Sequence, residues 1–408
     1  MLFTNINESK INKLIKQDII DFESTINLIG SANIPFYEVT KALSYPIFSN
    51  PLEGFIKDRV YPKSEVLDEL EIIGNEYLRK LFKYNKDDYN TSFQPHSGTT
   101  ANQIIYNAVL EPNDTVLTMS LNSGGHISHH HYIKKFFKLL TFGLNKFEEI
   151  DYKNIENIIR NNNIKLLIVG ASSFPNEIKY SILNKICKKY NVFLLADISH
   201  TVLFISEGLH ESPFRHADFI SFTTHKTTRG PRGGIILYKN YFSDQIKNSI
   251  FPITQSAPKF YDILSKVIML IKLSDYDRKS YIKYALKLSI YFIEYFKEKR
   301  IKVFTNKTDS HLAILDLTKN SINAIKAESL LAEINILTNR CFLPKDTDIP
   351  HGLRFGFLSL AVVKIDINDF KQICDIIFEK LFLSNHSKSN TKTSNIAKKY
   401  FKGYYNDK

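Results

Sequence analysis

Lys226 stands in "SFTTHKTTRGPRGG", residues 221 to 234, between His225 and Thr227 and just ahead of a Gly/Pro/Arg turn. An amine so placed is either a surface charge or the group that holds a carbonyl cofactor as a Schiff base. Asp197 closes the apolar run "VFLLAD". Its carboxylate can pair with a protonated ring nitrogen, although an aspartate at a strand end is more often a turn or cap residue. In "QPHSGTTANQ", residues 94 to 103, Ser97, Gly98, Thr99 and Thr100 precede a helical pattern. Free backbone N–H groups and hydroxyls at a helix start can cradle a phosphate, and ordinary capping is the commoner use of such residues. Lysine, carboxylate and cradle together form the set that a pyridoxal 5'-phosphate site requires.

The elements that must position these groups alternate in period. Apolar runs of strand length lie at 114–119, 164–170, 192–197, 219–224 and 233–238, with amphipathic helical stretches between several of them. That alternation predicts an α/β domain with a mostly parallel sheet, whose ligands sit beyond the carboxyl ends of the strands. Asp197 ends one run and Lys226 follows another, so both are expected at that edge. Residues 258–299 read as mainly helical, and "HLAILDL" (311–317) opens a second, smaller α/β unit ending near Leu383. The expected organisation is 1–275 for the N-terminal segment and large cofactor-binding domain, 276–383 for a small C-terminal domain, and 384–408 for a basic flexible tail.

Composition bounds the class. The chain has 408 residues, 43% hydrophobic and 13% aromatic, enough for two packed domains. No apolar run is long enough to span a bilayer and the start lacks a signal-peptide profile, so a cytoplasmic protein with no membrane association is expected. Cys187, Cys341 and Cys374 are too few and too widely spaced for a metal or disulfide framework. The net charge of +12 comes from lysines scattered among Asn, Ile and Tyr, which reads as a solvated surface more than a nucleic-acid face. From Ser384 the chain is lysine-rich, small and polar, as in a disordered segment or one packed on a neighbour.

The segments "QPHSGTTAN", "MSLNSGGHISHH", "GASSFP", "ADISH", "HADFISFTTHKTTRGPRGG" and "GLRFG" follow one another in an order and spacing that resemble the serine hydroxymethyltransferase family over most of residues 25 to 383. The resemblance implies the aspartate-aminotransferase-like fold (fold type I) of pyridoxal phosphate enzymes, working as a homodimer with an active site shared between subunits. It implies that Lys226 carries the cofactor, that Asp197 keeps the pyridinium nitrogen charged, that His126 lies on the ring with His200 near it, and that Ser172 bonds the phenolic oxygen. Ser97, Gly98 and Thr99 would hold phosphate, with Thr223 and His225 in the cofactor signature around Lys226. Arg354 would bind the amino-acid carboxylate through its guanidinium fork, where the bland reading is a surface salt bridge. Glu53 would move a proton at the substrate β-hydroxyl, Tyr61 would approach the substrate, and Arg232 would support the site. His129, His130 and His131 read as structural, since adjacent histidines cannot all face one metal and no acidic residue lies nearby in sequence; no metal is expected.

The departures concentrate at the rim. Pro51 and Val60 replace tyrosines, Phe36 stands at a position read as that of a substrate-binding serine, Ser256 and Ala257 replace a Gly-Gly that meets the cofactor phosphate from the partner subunit, and Cys341 replaces an asparagine that contacts the pterin. Two readings follow. One is a divergent serine/glycine hydroxymethyltransferase using tetrahydrofolate, and the other is a folate-independent threonine aldolase or transaldolase on the same scaffold. A non-catalytic or nucleic-acid-binding descendant is disfavoured by the complete Lys226, Asp197 and Arg354 set.

Overall fold

The structure is a computed structural model that describes residues 9–44, 51–383 and 389–404. Its centre is a seven-stranded sheet made of β1 (Tyr89–Ser92), β2 (Thr115–Met119), β3 (Lys138–Phe142), β4 (Ile164–Val169), β5 (Phe193–Asp197), β6 (Phe219–Thr223) and β7 (Gly234–Lys239). The spatial order is β1-β7-β6-β5-β4-β2-β3. The pairs from β6 through β3 are parallel, while β7 runs antiparallel to both β6 and β1. The five predicted apolar runs all lie in this sheet. β1 and β3 were not predicted, because "YNTS" and "KLLTF" are short and carry polar residues at an edge, where only one side needs a ladder partner.

The inner strands are mostly apolar because both faces are covered. Leu166 and Ile168 of β4 pack with the helix Gly98–Val109 on one face, and Leu167 and Val169 pack into the larger core on the other. Successive residues of a strand point to opposite faces, so a run without polar alternation is what two-sided burial demands.

A three-stranded antiparallel sheet forms the second unit, with β8 (Leu312–Asp316), β9 (Asn339–Cys341) and β10 (Gly352–Gly356) in the order β8-β10-β9. Two long helices, Phe260–Asp275 and Arg278–Glu298, lead into it, as the helical reading of 258–299 anticipates. Residues Ile26–Asn27 pair in parallel with Ile336–Leu337. This two-stranded pair, separate from the three-stranded sheet, ties the N-terminal segment to the small unit before its next residues turn toward the large sheet.

The C-terminal segment differs from the flexible tail expected of it. Ser389–Phe401 is a helix lying against the helix Ser9–Ser24. Thr393, Ile396, Ala397 and Phe401 are buried at i, i+3, i+4 and i+8, one face of a helix. The Phe22 and Phe401 rings sit 5.7 Å apart, Tyr400 Oη donates to Asp369 at 2.5 Å, and the Gly403 N–H donates to Glu23 at 2.8 Å. Composition concealed this stripe because a threonine begins it and lysines flank it. The remainder of the tail, 384–388 and 405–408, lies outside the described residues. No helix among the described residues is long and apolar enough to cross a membrane.

Truncating the side chain at the end of that stripe tests the docking. Phe401→Ala should weaken it by about 3 kcal/mol. Limited trypsin digestion should then cut at Lys398 and Lys399 in the variant while sparing the wild type.

Candidate active site

The carboxyl ends of four neighbouring parallel strands open onto one cavity of about 430 Å³. β2 leads to His126, β4 to Ser172, β5 ends on Asp197, and β6 ends on Thr223, three residues before Lys226. The helix Gly98–Val109 points its N-terminus at the same space. Its cap, Ser97, accepts the Thr100 N–H at 3.0 Å, so the capping reading of this serine holds while Ser97, Gly98 and Thr99 also line the cavity. The left-over N–H groups and the positive end of the helix dipole favour an anion there.

Asp197 is the most heavily supported group. Oδ2 accepts Nε2 of His129 and Nδ2 of Asn102, each at 3.0 Å, and Oδ1 accepts the hydroxyl of Ser199 at 2.6 Å and its N–H at 3.1 Å. Burial by itself would raise this carboxyl; the hydrogen bond and charge of His129, the Asn102 amide and the Lys226 ammonium override it and hold the group well below the usual carboxylate range. His129 corrects the structural reading of the histidine run. A 3₁₀ turn sends the three rings different ways: His129 inward to Asp197, His130 to the Met119 carbonyl at 2.8 Å, and His131 out to solvent. The acidic partner missing nearby in sequence is 68 residues downstream. Asn102 was also missed, its one signal being an amide inside the apolar face of a helix.

Lys226 is 6% exposed, and no described residue hydrogen-bonds its Nζ. Burial pulls its ammonium down to about 8, opposed by Asp197 and reinforced by the Arg354 guanidinium. Arg354, on β10, is buried and not in the surface salt bridge that the bland reading supposes. Its donors go to neutral oxygens: Nε to Asn339 Oδ1 at 3.2 Å, and one terminal nitrogen to the Ser172 carbonyl and to Ser173 Oγ at 3.3 Å. Gly30 makes room for it, since a Cβ there would lie 2.8 Å from Arg354 Nε. His200 sits 3.3 Å from His311, which also reaches the Gly30 carbonyl at 3.2 Å. Burial pulls both imidazoles down, His311 to about 3, so the pair is neutral. His126 binds Ser128 Oγ at 2.7 Å through Nδ1 and is pulled down by burial to about 4. His225 is pulled down by burial to about 3, with Lys226 and Arg232 adding to it. Arg232 lines the cavity mouth and is exposed.

Glu53 and Tyr61 do not line this cavity. The hairpin that carries them, Gly54–Phe55 with Asp58–Arg59, is fastened to the helix Glu65–Phe82 by Arg59, whose guanidinium pairs with Asp68 at 2.8 Å and with buried Glu71. Glu53 instead accepts the Ser256 hydroxyl at 3.2 Å through Oε1, its Oε2 buried without a partner, and Tyr61 is 45% exposed. Phe36 is also displaced from its expected role. It packs in the core against the Arg229 guanidinium at 4.2 Å, and the serine that reaches the cavity from this segment is Ser31. Among the described residues no group of three or more His, Cys, Asp or Glu side chains is placed to hold a metal.

The residues present fit pyridoxal phosphate. Besides the unbonded amine, Thr223 Oγ1 and His225 Nδ1 are buried at the cavity without partners, and buried polar atoms are seldom left so unless a ligand completes them. A desolvated lysine also carries a signature in the apoprotein. Between about 8 and its ordinary 10.5, the unfolded chain binds the extra proton, so this group's stability contribution grows with pH across that window and is lost as pH falls through about 8. Lys226→Met should flatten that rise by about 3 kcal/mol, read as a pH-dependent gap between the melting curves of the two apoproteins; parallel curves would mean that the amine is hydrated.

Comparison with known proteins agrees with this constellation. The family model described as serine hydroxymethyltransferase matches residues 5–377. A serine hydroxymethyltransferase of Coprothermobacter proteolyticus is 34% identical over 398 residues, which cover 95% of this chain and 94% of that protein. With a match of that extent, and with the lysine, carboxylate and helix N-terminus gathered at one sheet edge, the chain belongs to the serine hydroxymethyltransferase family of fold type I, pyridoxal phosphate-dependent enzymes.

Proposed function

We propose that this chain interconverts serine and glycine by making and breaking the Cα–Cβ bond, with tetrahydrofolate as the one-carbon carrier. The observation that carries the reading is Arg354: a buried guanidinium, bonded only to neutral oxygens, opening on the cavity that holds the Lys226 amine. An amino-acid carboxylate supplies the charge it lacks, through two parallel hydrogen bonds. Pyridoxal phosphate, when bound, supplies a conjugated acceptor for the electron pair released at Cα.

The chain's own residues do the rest. Lys226, partly neutral near physiological pH, would hold the cofactor through its carbonyl carbon. Asp197 would keep a proton on the cofactor's ring nitrogen, with His129 and Asn102 keeping the carboxylate ionised and oriented. His126, uncharged, would cover a face of the cofactor ring, with neutral His200 beside it. Ser172 would meet the phenolic oxygen, Ser97, Gly98 and Thr99 would meet the phosphate, and Thr223 and His225 would complete the pocket. Arg232 stands at the mouth.

Glu53 and Tyr61 join the reaction through a second copy of the chain. Both lie away from their own cavity, and Glu53 keeps a buried carboxylate oxygen without a partner. A two-fold homodimer that brings this hairpin to the other subunit's cavity would place the Glu53 carboxylate to move the β-hydroxyl proton. We place the protein in the cytoplasm, and divide it into a large domain to residue 275 and a small one from 276 to 383, with the C-terminal helix packed back across the N-terminus.

Two measurements test this reading. Arg354→Lys keeps the charge and loses the fork, so the KM for serine should rise about tenfold to hundredfold with the visible absorbance of the bound cofactor unchanged. An unchanged KM would remove Arg354 from carboxylate binding. At the rim, Val60 is 58% exposed and Cys341 offers a thiol in place of an amide. Each unpaired polar edge on a buried ligand weakens binding by about tenfold or more. Calorimetric titration of the glycine-loaded enzyme should therefore find tetrahydrofolate binding at least about tenfold weaker than to a relative with the tyrosine and asparagine in place. Glycine release from threonine, with no folate dependence for serine, would make the protein an aldolase instead.

A further inference from the structure

Lys266 lies in the interior of the helix Phe260–Asp275, is 0% exposed, and belongs to none of the machinery described above. Its Nζ donates to the carbonyl of Phe93 at 2.6 Å and to that of Pro95 at 2.9 Å, and it makes no ion pair among the described residues. The stretch from Phe93 to Ser97 leaves β1 and enters the helix that begins at Gly98, so its carbonyls have no ladder to join. Three in succession are met by donors from elsewhere. Phe93 and Pro95 take Lys266, Gln94 takes Gln255 Nε2 at 3.1 Å, and Pro95 also takes the Gly234 N–H at 3.1 Å.

The packing leaves little slack. A Cβ on Gly233 would fall 2.4 Å from Lys266 Cε, and one on Gly234 would fall 2.5 Å from the Ser97 carbonyl oxygen. The amine and the start of the cradle thus bear on consecutive residues of one strand entry. Two carbonyls alone do not call for a charge, since a neutral amide would satisfy them without the several kcal/mol that burying an ammonium costs. The carboxylates of Asp262 and Glu71 act on the ammonium from a distance without pairing with it, and an anion held at the cradle would favour the buried cation further.

We propose that Lys266 is a positioning residue for the phosphate cradle, its buried charge and its two hydrogen bonds fixing Phe93–Ser97 so that Ser97, Gly98 and Thr99 meet a phosphate. The inference rests on the reading of those three residues as the cradle, and it selects for the phosphorylated form of the cofactor over its free alcohol.

The test compares binding of pyridoxal phosphate and of pyridoxal, which lacks the phosphate, to apoprotein of the wild type, Lys266→Met and Lys266→Gln. Absorbance titration gives the affinities. Wild type should prefer the phosphorylated form, and Lys266→Met should lose about tenfold to hundredfold of affinity for it while pyridoxal affinity changes by less than about twofold. Lys266→Gln, which retains N–H donors for the carbonyls without the charge, should fold and fall between the two. If the methionine variant does not fold, the glutamine variant decides by the same ratio. Equal losses for both ligands, or no loss for either, would overturn the role of Lys266. A wild type without preference for the phosphorylated form would instead overturn the cradle reading on which it rests.

Discussion

The carboxylate of Asp197 is the constraint around which the site is arranged. An ionised carboxyl away from water is costly unless it is bonded on every side, and here four hydrogen bonds from three residues converge on it. Those donors come from a helix, a 3₁₀ turn and the residue two places on, so holding one charge fixes the relative placement of three elements. The same charge opposes the effect of burial on Lys226, so that the amine falls to about 8 and no further. The surrounding imidazoles His126, His200, His225 and His311 are all pulled toward neutrality by burial, which leaves Asp197, Lys226 and Arg354 as the inner charges of the cavity, with Arg232 exposed at its mouth.

The sheet makes that convergence possible. Parallel strands bring their carboxyl ends to one edge, and each end releases a loop whose first residues are held by ladder bonds behind them. Rigid placement of the groups follows from two-sided burial of the strands, not from contacts among the groups themselves. The small unit lines the cavity through one side chain, Arg354, and the N-terminal segment contributes Gly30 and Ser31, which arrive because Ile26–Asn27 pairs with Ile336–Leu337 of the small unit.

Stability and site are tied together at the back of the cavity as well. Arg229, three residues after Lys226, donates to the Ile34 carbonyl at 2.9 Å and to Tyr404 at 3.2 Å, and lies over the Phe36 ring. Ile34 and Phe36 from the N-terminal segment and Tyr404 from the C-terminal one therefore meet behind the lysine loop. Phe36 serves this packing and not the substrate, which explains why an aromatic ring is tolerated there.

The sequence by itself determined the sheet's inner strands and the helical entry at Gly98, because each rests on a local rule, apolar runs bounded by turns and a cap before a helix; Lys226 and Asp197 stood out by type and place with blander readings open, and Arg354 stood out through the family resemblance. What it did not disclose depends on distance through space. The partner of His129 is 68 residues away, the neutrality of the His200–His311 pair comes from burial, and the docking of Ser389–Phe401 comes from a stripe that composition hides. Placement of Glu53 outside its own cavity was decided by Arg59, which fastens the hairpin to its neighbouring helix. Tertiary structure alone decides such points, since desolvation and pairing are properties of what surrounds a group and not of the residue or its neighbours along the chain.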